Sequence, residues 1–134
     1  TARKTNNIKP NWVIKIVKQK HLDFIKSSKS KPKIGCFGIT YKPDIDDLRE
    51  SPSFYIVDQL SKSNFDIMTC EPNINSHPSL KLYSIEEVLN ECDLLVFLVR
   101  HTKFFDVETD KRHTILDFCG LFYNKKSNSN TLSM

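Results

Sequence analysis

The sequence predicts an α/β domain built on a doubly wound parallel sheet. Apolar residues recur first at helical and then at strand spacing, and the two patterns alternate along the chain. The segment Leu94–Val99 is apolar at every position. A strand of that kind is covered on both faces, as in a parallel sheet between helices. In such folds the ligand site lies at the carboxyl ends of the strands.

The first predicted element is a long amphipathic helix over Ile8–Ile25. Trp12, Val13, Ile16 and Val17 recur at helical spacing, and the early Pro10 is tolerated in a first turn. The polar run "KSSKSKPK" follows and predicts a linker.

Helix caps and short apolar runs predict the remaining elements. Ser51 followed by Pro52 is typical of a helix start, and Ser84 with Glu87 forms a capping box. In chain order we predict a strand in Lys33–Ile39, a helix over Pro52–Lys62, a strand over Phe65–Cys70, a short helix after Ser84, the strand Leu94–Val99, a short helix around Phe104 and a strand in His113–Phe118.

Composition narrows the classes of function. The 134 residues, 39% of them hydrophobic, fit one domain. A net charge of +4 and aromatic residues that sit singly argue against nucleic-acid binding. The chain has no run of apolar residues that could span a bilayer, so we expect no membrane association. It opens "TARKTNN" without an initiator methionine, and we expect a soluble piece of a longer protein.

The cysteines and histidines lack the spacing of metal ligands. There is no C-x-x-C pair, and three of the four cysteines border apolar segments, which predicts buried thiols in a reducing compartment. For the histidines we expect structural or surface roles and no metal site. The residues are Cys36, Cys70, Cys92, Cys119, His21, His77, His101 and His113.

The stretch "FGITYKPDIDDLRESPS", residues 37–53, is the candidate site. It follows the first strand and ends at a helix N-terminus, where backbone N–H groups favour anions, and Lys42 and Arg49 add positive charge. "GCFGIT" lacks the third glycine of a dinucleotide fingerprint, and no P-loop lysine follows. The residues therefore predict an anion site without specifying the ligand.

Each charged residue of this stretch also has a plainer interpretation. Lys42 could be a solvated loop lysine, and Arg49 could pair with Asp46 or Asp47. Asp44 completes an acidic group, but the EF-hand pattern is missing. We expect these acids to form turns and to orient the arginine.

The chain resembles the nucleotide-sugar 6-dehydrogenases, the UDP-glucose and GDP-mannose dehydrogenase family, in its branch that acts on UDP-N-acetyl-D-mannosamine. The resemblance reaches to about residue 122 and is carried by "ARKTNNIKPNWV", "KIGCFGITYKPDIDDLRESPS", "EPNI" and "DLLVFLVRHTKF". It implies a Rossmann-like, UDP-binding carboxyl-terminal domain. The implied division is residues 1–26 as the end of a central dimerisation helix, 27–32 as linker, 33–123 as UDP-binding domain and 124–134 as a disordered tail.

The resemblance also implies roles for individual residues. Lys42 and the backbone at Tyr41 would contact the nucleotide sugar, and Arg49 would reach an NAD molecule held mainly by a separate amino-terminal domain. The implied reaction oxidises the sugar C6 hydroxyl to a carboxylate and reduces two NAD. Its catalytic cysteine belongs to a "GGxC" segment that is absent here, so we assign no catalytic residue to this chain and expect it to be inactive alone.

One departure from the family pattern concerns "ILDFCGLF". Relatives usually carry a basic residue where Cys119 stands, and Arg100 and Lys103 are the candidate substitutes. Alternative functions are a 6-dehydrogenase for UDP-N-acetylglucosamine or UDP-glucose, or a non-catalytic nucleotide-sugar-binding module. For the full-length protein the resemblance implies a cytoplasmic homodimer that serves polysaccharide biosynthesis.

Overall fold

A computed structural model describes residues 9–122 and 131–133, the last three through their backbone. Parallel strands alternate with helices along the chain. The helices are α1 (Pro10–Ser28), α2 (Pro52–Lys62), α3 (Ile85–Glu91) and a 3-10 turn at Thr102–Phe104, and the strands are β1 (Ile34–Phe37), β2 (Ile67–Cys70), β3 (Leu94–Phe97), β4 (Thr114–Asp117) and β5 (Thr131–Ser133).

The five strands form one sheet in the order β2-β1-β3-β4-β5, and every neighbouring pair is parallel. All residues of β1 and β3 are buried. The predicted doubly wound α/β fold is confirmed. The chain reverses its direction of winding between β1 and β3, and a crevice forms at the carboxyl ends of strands on either side of such a switch point.

Helices cover both faces of the sheet. One apolar cluster joins α1 and α2 to side chains such as Ile34 and Val96. The other joins α3 and the 3-10 turn to side chains such as Phe97. A Cβ atom at Gly35 would overlap the side chain of Val88, so only glycine allows α3 to lie this close to β1.

The first helix is longer than predicted. It continues through Ser27 and Ser28, whose hydroxyls donate to the carbonyl of Phe24, and it ends where Lys29 adopts a left-handed conformation. The linker predicted at 27–32 therefore starts at residue 29, two residues later than predicted. Val13 and Val17 are fully buried and pack in the same cluster as α2.

Both predicted helix starts are confirmed. The Ser51 hydroxyl accepts from the N–H of Phe54, and Pro52 occupies the first helical position. Ser84 and Glu87 form the predicted capping box, with reciprocal bonds of 3.1 and 2.8 Å.

The carboxyl-terminal prediction differs from the structure. The resemblance implies a disordered tail over residues 124–134, but Thr131–Ser133 form β5 and pair with β4. The backbone groups at the edge of β4 offer hydrogen bonds that the polarity of the tail does not reveal. Residues 124–130 and Met134 lie outside the described part of the chain.

The cysteines are free thiols, as expected from their spacing. Cys36, Cys70 and Cys92 are buried, and burial raises the pKa of each thiol to about 12. Within residues 9–122, no helix is both long and apolar enough to cross a membrane.

Candidate functional site at the carboxyl edge

Residues 38–51, here called the β1–α2 loop, leave the sheet through a glycine that the packing requires. Gly38 has a φ of 96°, and a Cβ atom added there would lie 2.6 Å from the Cβ of Val99. The loop then closes on itself, because the N–H of Tyr41 donates to the carbonyl of Asp47 at 2.8 Å. The switch point is thus bordered by a loop of defined conformation.

Ser51 fastens the end of this loop to its beginning. Its hydroxyl donates to the carbonyl of Ile39 at 2.7 Å and accepts from the N–H of Phe54 at 3.1 Å. The N-terminus of α2 is therefore held beside the carboxyl end of β1. Pro52 has no N–H and the N–H of Phe54 is capped by Ser51, so this terminus offers an anion chiefly the partial positive charge of the helix dipole.

Tyr41 and Lys42, the predicted substrate-binding residues, lie at the exposed part of the loop. The Tyr41 side chain is 41% exposed, and the ammonium nitrogen of Lys42 lies 5.7 Å from the centre of its ring. The backbone at Lys42 is held, since its carbonyl accepts from the Thr40 hydroxyl at 2.8 Å. A fixed backbone and an accessible ammonium group suit the binding of an anionic ligand.

Arg49, the predicted cofactor contact, makes the ion pair that its spacing suggested. Its Nε and Nη2 atoms donate to the two carboxylate oxygens of Asp47, each at 3.0 Å. The hydrogen bonds from Arg49 lower the pKa of Asp47 to about 2. The arginine side chain is still 89% exposed, so its remaining donors point to solvent.

Asp44 stabilises a turn of the loop. It adopts a φ of 62°, and its carboxylate accepts from the N–H and the hydroxyl of Thr102, both at 2.7 Å. These hydrogen bonds lower its pKa. Across the described ranges, no group of three or more His, Cys, Asp or Glu side chains is arranged to hold a metal ion.

A buried acid–imidazole pair lies beneath the loop, and the sequence did not predict it. The side chains of Glu71 and His101 have no exposed surface, and Oε2 of the acid lies 3.0 Å from Nε2 of the ring. Glu71 follows β2 directly, and His101 follows the end of β3. The one available signal was polar residues placed just after two apolar strands, because such residues meet at the carboxyl edge of a parallel sheet.

Glu71 also affects which ligands the turn after β1 can bind, because its carboxylate takes up backbone N–H groups there. In dinucleotide-binding folds the N–H groups of this turn and the following helix face a pyrophosphate. Here the N–H groups of Ile39 and Thr40 donate to Oε1 of Glu71, at 2.7 and 3.3 Å. The carboxylate occupies these donors and would repel a phosphate, so this turn does not fit NAD.

The segment after β4 is closed by Asp117. This buried carboxylate accepts from the N–H groups of Leu121 at 3.0 Å and Phe122 at 2.9 Å, so it caps the turn. Cys119 is half-buried there, and burial together with the Asp117 charge raises the pKa of its thiol. The guanidinium of Arg100 lies 4.9 Å from the centre of the Phe105 ring.

Fold and site together define an α/β domain whose switch-point loop presents an exposed lysine and an exposed arginine. Residues 35–123 match the model of the UDP binding domain of the UDP-glucose/GDP-mannose dehydrogenase family. The match covers more than half of the chain. The chain therefore belongs to the UDP-glucose/GDP-mannose dehydrogenase family, and its predicted resemblance to that family is confirmed.

Curated relatives carry the names of nucleotide-sugar dehydrogenases. The chain is 41% identical over 127 residues to a UDP-N-acetyl-D-mannosamine dehydrogenase of Campylobacter jejuni, a match that covers 89% of this chain and 29% of the relative. It is 35% identical over 133 residues to an NDP-N-acetyl-D-galactosaminuronic acid dehydrogenase of Ralstonia solanacearum, covering 94% and 30%. The chain thus spans less than a third of these relatives.

A solved structure supports the same assignment. The UDP-N-acetyl-mannosamine dehydrogenase of Staphylococcus aureus superposes with a TM-score of 0.72 at 28% identity, and the match covers 92% of this chain and 29% of that one. This coverage extends beyond residues 35–123, which alone would account for a smaller share of the chain.

Proposed function

We propose that this chain is the UDP-sugar-binding domain of an NAD-dependent dehydrogenase that oxidises C6 of UDP-N-acetyl-D-mannosamine to the uronic acid. The observation that carries the proposal is the exposed ammonium group of Lys42, on a backbone that the Thr40 hydroxyl holds and in the loop that ends at the start of α2. Membership of the family and the names of the relatives support the ligand class.

In this proposal Lys42 and the backbone at Tyr41 contact the UDP sugar. A diphosphate needs cationic donors, and the exposed ammonium group of Lys42 offers one at this place. Arg49 projects to solvent and would reach NAD carried by a separate domain. The catalytic groups would also lie in that separate part, so this chain contributes binding and orientation, and is inactive alone.

The remaining parts of the proposal concern the full-length protein. They are a homodimer formed through the helix that contains α1, a cytoplasmic location and a role in polysaccharide biosynthesis. Trp12 and Leu22 on α1 are 46% and 52% exposed, which leaves apolar surface for a second subunit. The domain division at residues 26, 32 and 123 belongs to the same proposal.

A different sugar is the second candidate. The Ralstonia relative is named for an N-acetyl-galactosaminuronic acid, so the family resemblance extends to more than one sugar. UDP-N-acetylglucosamine and UDP-glucose are further alternatives, as is a non-catalytic binding module.

The binding claim is tested by calorimetry of the 134-residue chain with UDP. We expect saturable binding, weakened about tenfold or more in Lys42→Ala because a charge-assisted hydrogen bond is lost. Lys81→Ala is the matched control, since Lys81 also lies over a tyrosine ring, at 5.2 Å from the centre of Tyr83. Absence of binding, or equal losses in both variants, would contradict the proposal.

The reaction is tested by NADH formation in the full-length protein with a panel of UDP-N-acetylmannosamine, UDP-N-acetylglucosamine and UDP-glucose. Turnover restricted to the first sugar is expected. Turnover of another sugar selects the corresponding alternative, and no turnover by a folded protein that binds UDP selects the binding module.

A further inference from the structure

His101 makes hydrogen bonds that assign its tautomer. Its Nδ1 atom lies 2.8 Å from the backbone nitrogen of Asp44 and 3.2 Å from the side-chain amide nitrogen of Asn73. A backbone N–H can only donate, so Nδ1 must be the bare, accepting nitrogen. The ring proton then sits on Nε2 and is donated to Glu71.

Glu71 is surrounded by donors. Besides His101, its carboxylate accepts from the N–H groups of Ile39 at 2.7 Å, Thr40 at 3.3 Å and Asn73 at 3.1 Å. These groups belong to the turn after β1 and to the segment after β2. The acid therefore orients the imidazole and holds two loops at once.

The same network reaches the β1–α2 loop on both sides of Lys42. Before it, Thr40 is bound to Glu71 through its N–H, and its hydroxyl donates to the carbonyl of Lys42. After it, Asp44 donates its N–H to His101 while its carboxylate is held by Thr102. The unfavourable φ of 62° at Asp44 persists because these contacts fix it.

We propose that His101, oriented by Glu71, is a positioning residue that fixes the conformation of the β1–α2 loop by accepting the backbone N–H of Asp44. Through this hydrogen bond His101 fixes the position of Lys42, and it does not itself contact the ligand. The consequence for UDP affinity rests on the proposed function, whereas the consequence for the loop does not.

A matched histidine provides the control. His113 is also buried, accepts a backbone N–H on Nδ1, from Asp110 at 3.1 Å, and lies 2.8 Å from the carbonyl of Leu89 through Nε2. It has the same tautomer but precedes β4, at the opposite edge of the sheet. Replacing either ring by glutamine removes the accepting nitrogen at the δ position.

The test compares His101→Gln with His113→Gln in the 134-residue chain. Without ligand, we expect the Asp44 amide to exchange with solvent at least about tenfold faster in His101→Gln and at an unchanged rate in His113→Gln, since only the first substitution removes the acceptor of the Asp44 N–H. With UDP, we expect affinity to fall about tenfold in His101→Gln and to stay within about twofold in His113→Gln. Equal effects of the two variants, or an unchanged Asp44 amide in a folded His101→Gln, would overturn the proposal.

Measurements on the unsubstituted chain keep the proposal testable if His101→Gln does not fold. Nitrogen-15 spectra of the ring should show a bare Nδ1 and a protonated Nε2 at His101, and the Asp44 amide should be protected from exchange. A protonated Nδ1 or an unprotected amide would overturn the proposal. These results need no ligand, so a chain that fails to bind UDP contradicts the proposed function and leaves the positioning role to be decided by the spectra.

Discussion

Each edge of the sheet has a buried histidine that accepts a backbone N–H group, but the two histidines hold different kinds of segment. His101 and His113 are both buried and share one tautomer. At the amino edge, His113 joins backbone groups of Leu89 and Asp110, which connects the end of α3 to the approach to β4. At the carboxyl edge, His101 joins a buried acid to a strained loop that carries an exposed lysine. A buried histidine of this kind can therefore be purely structural or can support a ligand site. The segment that it holds, and not the residue type, distinguishes the two roles.

The backbone at the two edges differs in the same way. Near the amino edge, Arg112 donates to three carbonyl groups at the end of α3, those of Leu89, Asn90 and Cys92. These bonds complete a helix terminus. At the carboxyl edge, Asp44 and Glu50 both take positive φ values without being glycine, within the loop that we assign to UDP. Positive φ alone does not separate the two edges, because Lys29 and Asn64, on the approaches to β1 and β2, adopt it as well.

The largest effect should come from the glycine that starts the β1–α2 loop. Gly38→Ala combines a positive φ with a Cβ contact of 2.6 Å to Val99, and we expect the free energy of unfolding to fall by about 2–5 kcal/mol. Gly120→Ala is the control, since its φ is also positive at 77° but nothing lies within 4 Å of the added atom, so about 1–2 kcal/mol is expected. Urea unfolding measures both; similar losses would refute the tight packing at the carboxyl edge.

A smaller effect is expected from Arg112→Ala at the amino edge, where the free energy of unfolding should change and the affinity for UDP should not. Arg112→Ala removes the donors that complete α3, and we expect a loss of about 1–3 kcal/mol in the free energy of unfolding. UDP affinity should stay unchanged, because this arginine lies away from the β1–α2 loop. Thermal unfolding and calorimetry on the same sample check both parts. A tenfold loss of affinity would show that the two edges are coupled.

The smallest effect should come from Arg49. The folded-state pKa of Asp47 is about 2, below its ordinary value of 3.8, so the contribution of the pair is present above the unfolded-state pKa and is lost as pH falls through about 2. In Arg49→Ala the Asp47 pKa should return towards 3.8 while thermal stability at pH 7 hardly changes, because exposed pairs contribute little. Carboxyl chemical shifts measured against pH test this, and an unmoved Asp47 would refute the pairing.

The sequence predicted the fold because most of its elements follow from local rules. Pro52 after Ser51, the capping box at Ser84 and the continuous apolar run from Leu94 each determine an element within a few residues. The full length of α1 and strand β5 were missed, since both depend on contacts made elsewhere: two serine hydroxyls that extend the helix, and the open edge of β4.

The site was only half predictable for the same reason. The loop with Lys42 and Arg49 is contiguous, so charge and spacing identified it, and the pairing of Arg49 with Asp47 followed from proximity. Glu71 and His101 are 30 residues apart, and they meet because β2 and β3 flank β1 in parallel register. Spacing in a single sequence does not show which strands become neighbours.

The central claim is that UDP binds at the carboxyl edge, on the β1–α2 loop. Its most direct test is titration of the nitrogen-15-labelled chain with UDP, followed by amide chemical shifts. We expect saturable changes at Tyr41, Lys42 and the first turn of α2, with no change around His113. Changes centred on His113, or no saturable change in a folded chain, would contradict it.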